Sequence, residues 1–373
     1  MPPPSTDDEN DDLDALPSPP PVHYAEQCLL GALLLDPHRL DEIGPLEPGH
    51  FSSHTYGELF RAMRSAPAPK AEQHRASPAW LNTVLDAARP HAPGLTASYL
   101  HTLIQLCSWP SHAAAYAWMI RADHARRSLR LHAERLAQTA TDTTLPHRAQ
   151  ATVQQADALA QFLDDLSGRF APHPGSLPRT ALPPAPARDT AKEALDEERL
   201  LIATATAHPA DTGQMRWLVP EDFALPLHAA LWQCLTSLAH RGDPVDPITM
   251  LWEAQHHGLL THGTTSTDLL ALLSTPVASP EHWGEKVLER ALLSRAQTAA
   301  LSIAALTDDP ANSSHQLITG SRRALAELTA VRSRWHQATA PATPRTAHPA
   351  RTPAAPRAGP TPRSAPLPVR ATR

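Results

Sequence analysis

Between Ala25 and Gly44 the chain reads AEQCLLGALLLDPHRLDEIG, and Leu29, Leu30, Leu33 and Leu34 recur at the spacing that gathers them on one helical face. Asp36-Pro37 then supplies an N-cap residue followed by proline at a first helical position, which predicts a chain reversal into a short helix ending at Gly44. The same periodicity predicts a helix over about 53–65 with Tyr56, Leu59, Phe60 and Met63 on one face, and another opening at Ser77-Pro78 with Trp80, Leu81, Val84 and Leu85. A short helix follows from Tyr99 to Cys107. Trp109-Pro110-Ser111 breaks it, and a long helix to about Ala140 carries Tyr116, Ile120 and Leu131 inward. After Thr144, Val153, Ala156, Leu159, Leu163 and Leu166 mark an amphipathic helix near heptad spacing that closes near Gly168. β-Branched runs and Asn-Gly or Asp-Gly hairpin signals are nearly absent, so the predicted class is all-α.

The order then repeats. DEERLLIATATAHPADTGQ, from Asp196, restates the opening stretch, with Glu197, Leu200 and Leu201 answering Glu26, Leu29 and Leu30. PEDF, with Pro220 and Phe223, answers PGHF, with Pro48 and Phe51. Leu231 and Trp232 answer Leu59 and Phe60. Asp246-Pro247 opens a helix carrying Leu251 and Trp252 as Ser77-Pro78 does with Leu81, and Ser279-Pro280 opens a long helix as Pro110-Ser111 does. A closing amphipathic stretch, His315 to Trp335, completes the second round. The offset between matches drifts from roughly 167 to 172 residues, and two tandem copies of one helical domain account for breakers and aromatics that stay in register. The expected organisation is an arm over 1–21, copy one with its closing helix over 22–170, a linker over 171–189, copy two with its closing helix over 190–336 and a tail over 337–373. Six prolines between Ala171 and Arg188 rule out a helix there and predict a semi-rigid connector.

Composition changes this picture mainly at the ends. The formal net charge of -6 conceals an arm with six acidic residues and no basic one, and a tail with nine prolines, six arginines and no acid. Both read as disordered. Arg345, Arg351, Arg357, Arg363 and Arg370 of the tail are candidate phosphate-backbone contacts of a non-specific kind, without aromatics for base stacking. Three lysines beside 29 arginines, with abundant Ala and Pro, point to a GC-rich bacterial source. Cys28, Cys107 and Cys234 are scattered among apolar neighbours and read as small buried hydrophobes in a reducing cytoplasm. No apolar run is long enough to span a bilayer, so a cytoplasmic location is expected.

Catalytic signatures are absent. No glycine precedes a lysine, no two glycines are one residue apart, and GxSxG does not occur, which removes the phosphate loop, the dinucleotide turn and the nucleophile elbow. His50 and His54, and His256 with His257, lack the further ligands that a zinc site requires. The expectation is a protein that is no enzyme and has no catalytic, cofactor-binding or metal site.

AEQCLLGALLLDP, PGHF and YGELFRAM together resemble the N-terminal domain of DnaB-type replicative DNA helicases, and PEDFALPLHAALWQCLTSLAHRGDPVDPITMLWEAQHHGLL resembles it more strongly, above all in RGDPVDPITM from Arg241 to Met250. The residues that carry the match are Leu29, Leu30, Phe51, Leu59, Phe60, Leu200, Leu201, Phe223, Leu231, Trp232 and Asp246, read as fold-defining core positions, not as contacts. Copy one has SAPAPKAEQHRASPAWL where an RGDPVD segment is expected. The terminal amphipathic helices resemble the linker helix that follows this domain in the family. The resemblance implies a small helical domain that oligomerises and docks the helicase-binding region of primase, while the family's RecA-like motor is missing from these 373 residues. The implied function is therefore a non-catalytic, replication-associated interaction and oligomerisation protein whose partner is helicase, primase or another replisome factor, with self-association of the two copies as a pseudo-dimer. The alternative is a DNA-binding accessory factor acting through the arginine tail. Cofactors are expected to be none.

Overall fold

The computed structural model describes residues 18–170, 177–186, 191–261 and 263–340. Fourteen α-helices lie among these residues, with no strand and only an isolated bridge between Thr261 and Thr264. Copy one contains α1 (Pro21–Leu35), α2 (His54–Ser65), α3 (Ala71–Ala76), α4 (Ala79–Ala88), α5 (Ala97–Leu106), α6 (Ala113–Thr141) and α7 (Arg148–Arg169). Copy two contains α8 (Lys192–Ala207), α9 (Pro209–Thr212), α10 (Pro226–Arg241), α11 (Pro247–His256), α12 (Ser266–Leu273), α13 (Pro280–Asp308) and α14 (Ser314–Thr339). The acidic arm up to residue 17 and the tail from 341, with all its arginines, lie outside the described residues, and α14 continues to Thr339, past the expected boundary.

The element order repeats as the leucine pattern predicts. In the first half of each copy the offset is a constant 172 residues, fixed by burial: Leu29 and Leu30 correspond to Leu201 and Ile202, and Phe51, Leu59 and Phe60 to Phe223, Leu231 and Trp232. All of these are buried, and the paired rings meet at 5.1 Å for Phe51 and Phe60 and 5.9 Å for Phe223 and Trp232. Leu200, expected as a core position, is only half-buried, because the true register is one residue later and a helix turns about 100° per residue. The same correction makes Glu198, not Glu197, the counterpart of Glu26. Both carboxylates are fully buried and satisfy backbone donors at the entry to the next helix. Glu26 accepts from the Ser52 amide at 2.5 Å and hydroxyl at 2.8 Å, and Glu198 from the Ala224 amide at 2.5 Å and His228 Nδ1 at 2.8 Å. Glu197 instead pairs with Arg290 at the surface of α13.

The long helices correspond at an offset of 167. Copy one is the longer in the middle, where the short helix α3, absent from the sequence reading, occupies the stretch that replaces RGDPVD. Leu131 does not point inward. It is 46% exposed, and Leu129, two residues and about 200° away, is the buried position. In copy two the α10 turn closes on Gly242, whose φ of 74° is the left-handed C′ conformation that glycine adopts freely. In copy one Gly31 lets α1 lie against α5, since a Cβ there would strike the Leu103 carbonyl oxygen.

Two cores result. One belongs to the globular part of copy one and ends with Ala113, Ala117 and Ile120 at the start of α6. The other is continuous through copy two and both helical hairpins: Leu129, Leu136, Leu159 and Leu163 of α6 and α7 join Leu292, Ala296, Ile303, Leu325 and Leu328 of α13 and α14. α6 and α13 lie against each other along this core, so the two copies bury their amphipathic faces on one another within a single chain.

Candidate interaction surface

The contact between the copies is built from the carboxyl halves of α6 and α13. Apolar positions at i, i+4 and i+7 form its dry centre, with Leu129, Ala133 and Leu136 facing Ala296, Ala300 and Ile303. Arg126 sits at its edge. Its Nη1 donates to the Thr307 carbonyl at 3.0 Å and the Asp309 carbonyl at 2.7 Å, and its Nη2 to the Asn312 carbonyl at 2.5 Å. One guanidinium from copy one thereby binds a carbonyl of the last turn of α13, where the helix dipole is negative, and two carbonyls of the turn that follows. Arg130 pairs with Asp308, Arg332 with Asp157, and Arg322 reaches Asp164 at 2.6 Å. These rim pairs are largely exposed and set register more than stability.

The connector adds to this seam. Residues 177–186 form neither helix nor strand; the Thr180 hydroxyl donates to Asp309 at 2.6 Å and accepts from the Asn312 side-chain amide at 2.7 Å, and Gln316 donates to the Leu177 carbonyl at 3.2 Å. These residues of the predicted semi-rigid linker are thus seated on the junction of α13 and α14, while 171–176 and 187–189 lie outside the described residues.

Large apolar side chains stay exposed on the hairpins, as at Leu131 and Leu301, and on the connector, but the most exposed of them lie on the globular parts. Ile248 and Trp252, one turn apart on α11, are 64% and 61% exposed. Asp246, expected as a core position, is exposed and works as the N-cap of this helix, accepting from the Ile248 amide at 2.7 Å and the Thr249 amide at 2.9 Å. Arg241 braces the approach, reaching Asp243 at 2.7 Å and Glu253 at 3.0 Å. The RGDPVDP stretch is therefore a stiff turn that presents a tryptophan outward. Nothing in its periodicity announced this, since Leu251 and Trp252 are adjacent and only one of them turns inward. In copy one Trp109 is 63% exposed and stacks on His112 at 5.9 Å.

Chemistry-bearing clusters are few. Glu198 and His228 form a buried pair enclosed by core. His54 lies 3.9 Å from Glu58, and His50 meets His124 at 4.4 Å between ring centroids. Burial pushes the Cys234 thiol up to about 11 and raises those of Cys28 and Cys107. Among the described residues no three metal-ligating side chains converge, and no helix is long and apolar enough to cross a membrane.

A family model described as DnaB-like helicase N terminal domain matches residues 18–122 and 190–289, together more than half of the chain. Neither a curated protein nor a solved structure matches it. The two matched segments coincide with the two globular parts, and the helical hairpins extend beyond each.

Proposed function

The chain belongs to the DnaB-like helicase N-terminal domain family, carrying that domain twice, and from this premise we propose that it is a non-catalytic docking protein of the replication machinery. It joins two such domains through their hairpins and offers the globular parts to a replicative helicase, a primase or a related factor. The observation that carries the reading is the seam itself. The amphipathic faces of α7 and α14, which would otherwise require an external partner, are buried within the chain, while Ile248 and Trp252 on α11 stay uncovered. An exposed tryptophan beside an aliphatic side chain on a rigid helix is the usual composition of an interface anchor. No phosphate loop occurs in the sequence, so the protein acts through binding, not ATP turnover.

The test is a capture experiment with purified helicase and primase from the source organism, using the wild type and Trp252→Ala. Binding weakened at least about tenfold in the variant supports the reading, in line with anchor truncations of about 2 kcal/mol or more. Absence of binding to both, or ATP hydrolysis by the chain alone, overturns it. A second reading, DNA binding through the arginine tail, is favoured by the tail's composition alone.

A further inference from the structure

The pseudo-symmetry of the two copies exposes one place where an anion present in copy two is replaced in copy one. In copy two the buried carboxylate of Asp222 caps its 3₁₀ turn by accepting from the Val219 amide at 3.0 Å. It also receives the guanidinium of Arg334 from the end of α14, with Nη2 to Oδ1 at 2.9 Å, while Nη1 donates to the Trp217 carbonyl at 3.0 Å. The copy-one equivalents are His50 for Asp222, at the offset of 172, and Arg169 for Arg334. The latter follows from the buried faces of the closing helices, where Leu163 and Leu166 match Leu328 and Val331.

His50 keeps the capping role, accepting from the Glu47 amide through Nδ1 at 3.1 Å, which leaves its Nε2 as a donor. It brings no negative charge. Arg169, which is exposed at the rim, has no hydrogen-bond or ion-pair partner among the described residues. Where copy two is closed by an internal ion pair, copy one has a cavity of about 570 Å³. Arg121, Arg169, His50 and His124 line its polar side, and Trp118 and Phe170, in edge contact at 6.4 Å, its apolar side. The Arg121 guanidinium is held by the Ile43 carbonyl at 2.5 Å and pairs with no carboxylate, and His124 Nδ1 is buried without a partner. The single acid on the wall, Glu47, is exposed and committed to Arg64 at 3.1 Å.

We propose that this cavity is a binding site for a small phosphorylated molecule, whose phosphate takes the place of the carboxylate that Asp222 supplies in copy two. Two guanidinium groups match a phosphate dianion in charge and present forked donors to its oxygens. Trp118 and Phe170 receive the apolar remainder, and the volume falls in the range of small-ligand sites. Burial lowers the proton affinity of both imidazoles, so at neutral pH they serve as neutral hydrogen-bond donors and the charge is carried by the arginines.

Isothermal titration of the full chain with sodium phosphate, ribose 5-phosphate, AMP and adenosine tests the site. Ribose 5-phosphate and AMP are expected to bind, AMP more tightly through the aromatic wall, and adenosine not. Arg169→Ala should weaken AMP at least about tenfold, as loss of a charge-assisted contact does. His50→Asp should abolish binding by recreating the internal pair of copy two, and should raise the melting temperature. Adenosine binding as tightly as AMP, no heat from any phosphorylated probe, or AMP affinity unchanged in both variants would each overturn the proposal.

Discussion

Arg126 is the side chain whose removal most directly probes the seam between the copies. Its fork spans the carbonyl of Thr307 in the last turn of α13 and those of Asp309 and Asn312 in the turn that leads to α14. Hydrogen bonds to a charged group contribute about 1.5–3 kcal/mol each when fully desolvated, and a cation at a helix carboxyl end adds about 0.3–1 kcal/mol. Arg126 is half-buried, so water replaces part of what truncation removes. The expected loss for Arg126→Ala is about 2–3 kcal/mol, read as a fall in melting temperature of roughly 4–8 °C. Arg126→Lys, which keeps the charge and loses the fork, should fall between variant and wild type. Arg130→Ala, which removes only the half-exposed pair with Asp308, should stay within about 1 kcal/mol. Urea unfolding followed by far-UV circular dichroism measures all three, and amide exchange should accelerate at the carboxyl end of α13 in Arg126→Ala alone. If Arg126→Ala unfolds within about 0.5 kcal/mol of wild type, the guanidinium is not holding the copies together and the reasoning fails.

Glu198→Ala strands two backbone amides and the His228 ring inside the core, and a cost of about 3–5 kcal/mol is expected by urea denaturation, with a cost under about 1 kcal/mol contradicting the role given to that carboxylate. The His124 ring, beside His50, Asp123, Arg127 and Arg169, is pushed down to about 4 by burial first and by cationic neighbours second. Because the unfolded imidazole takes a proton near pH 6.5 and the folded one does not, the stability linked to His124 is intact above pH 6.5 and is lost as the pH falls toward 4. After allowance for solvent screening this amounts to about 1–2 kcal/mol, and parallel stability profiles of wild type and His124→Phe from pH 7 to pH 4.5 would exclude it. Deletion of residues 341–373 is expected to abolish any salt-sensitive affinity for duplex DNA, whose log–log salt slope should not exceed about −5 with six tail arginines; unchanged affinity removes the tail from consideration.

Local signals carried much of the fold. Proline and N-cap residues marked the helix starts at Asp36, Asp246 and Ser279, and apolar spacing located the buried faces of α1, α2 and α7. The register of the repeat escaped by one residue because Glu197-Glu198 and Leu200-Leu201-Ile202 offer two alignments to a single glutamate and a leucine pair. Only the burial of Glu198 against the Ala224 amide selects between them. Leu131 escaped for a related reason: on a helix of 29 residues with leucines at 129 and 131, periodicity does not decide which faces the neighbouring copy. The exposure of Trp252 and the meeting of His50 with His124, 74 positions apart, are consequences of tertiary packing and have no local signature.

The seated connector and the shared hairpin core have a consequence for assembly. Two separate chains with the same faces would associate by mass action and come apart on dilution, whereas a tether holds the faces at a high effective concentration whatever the amount of protein present. The association is therefore first order. It is also consuming, because one molecule uses up both of its hairpin faces on itself. Any ring or larger array that includes this chain has to grow from surfaces other than these buried faces.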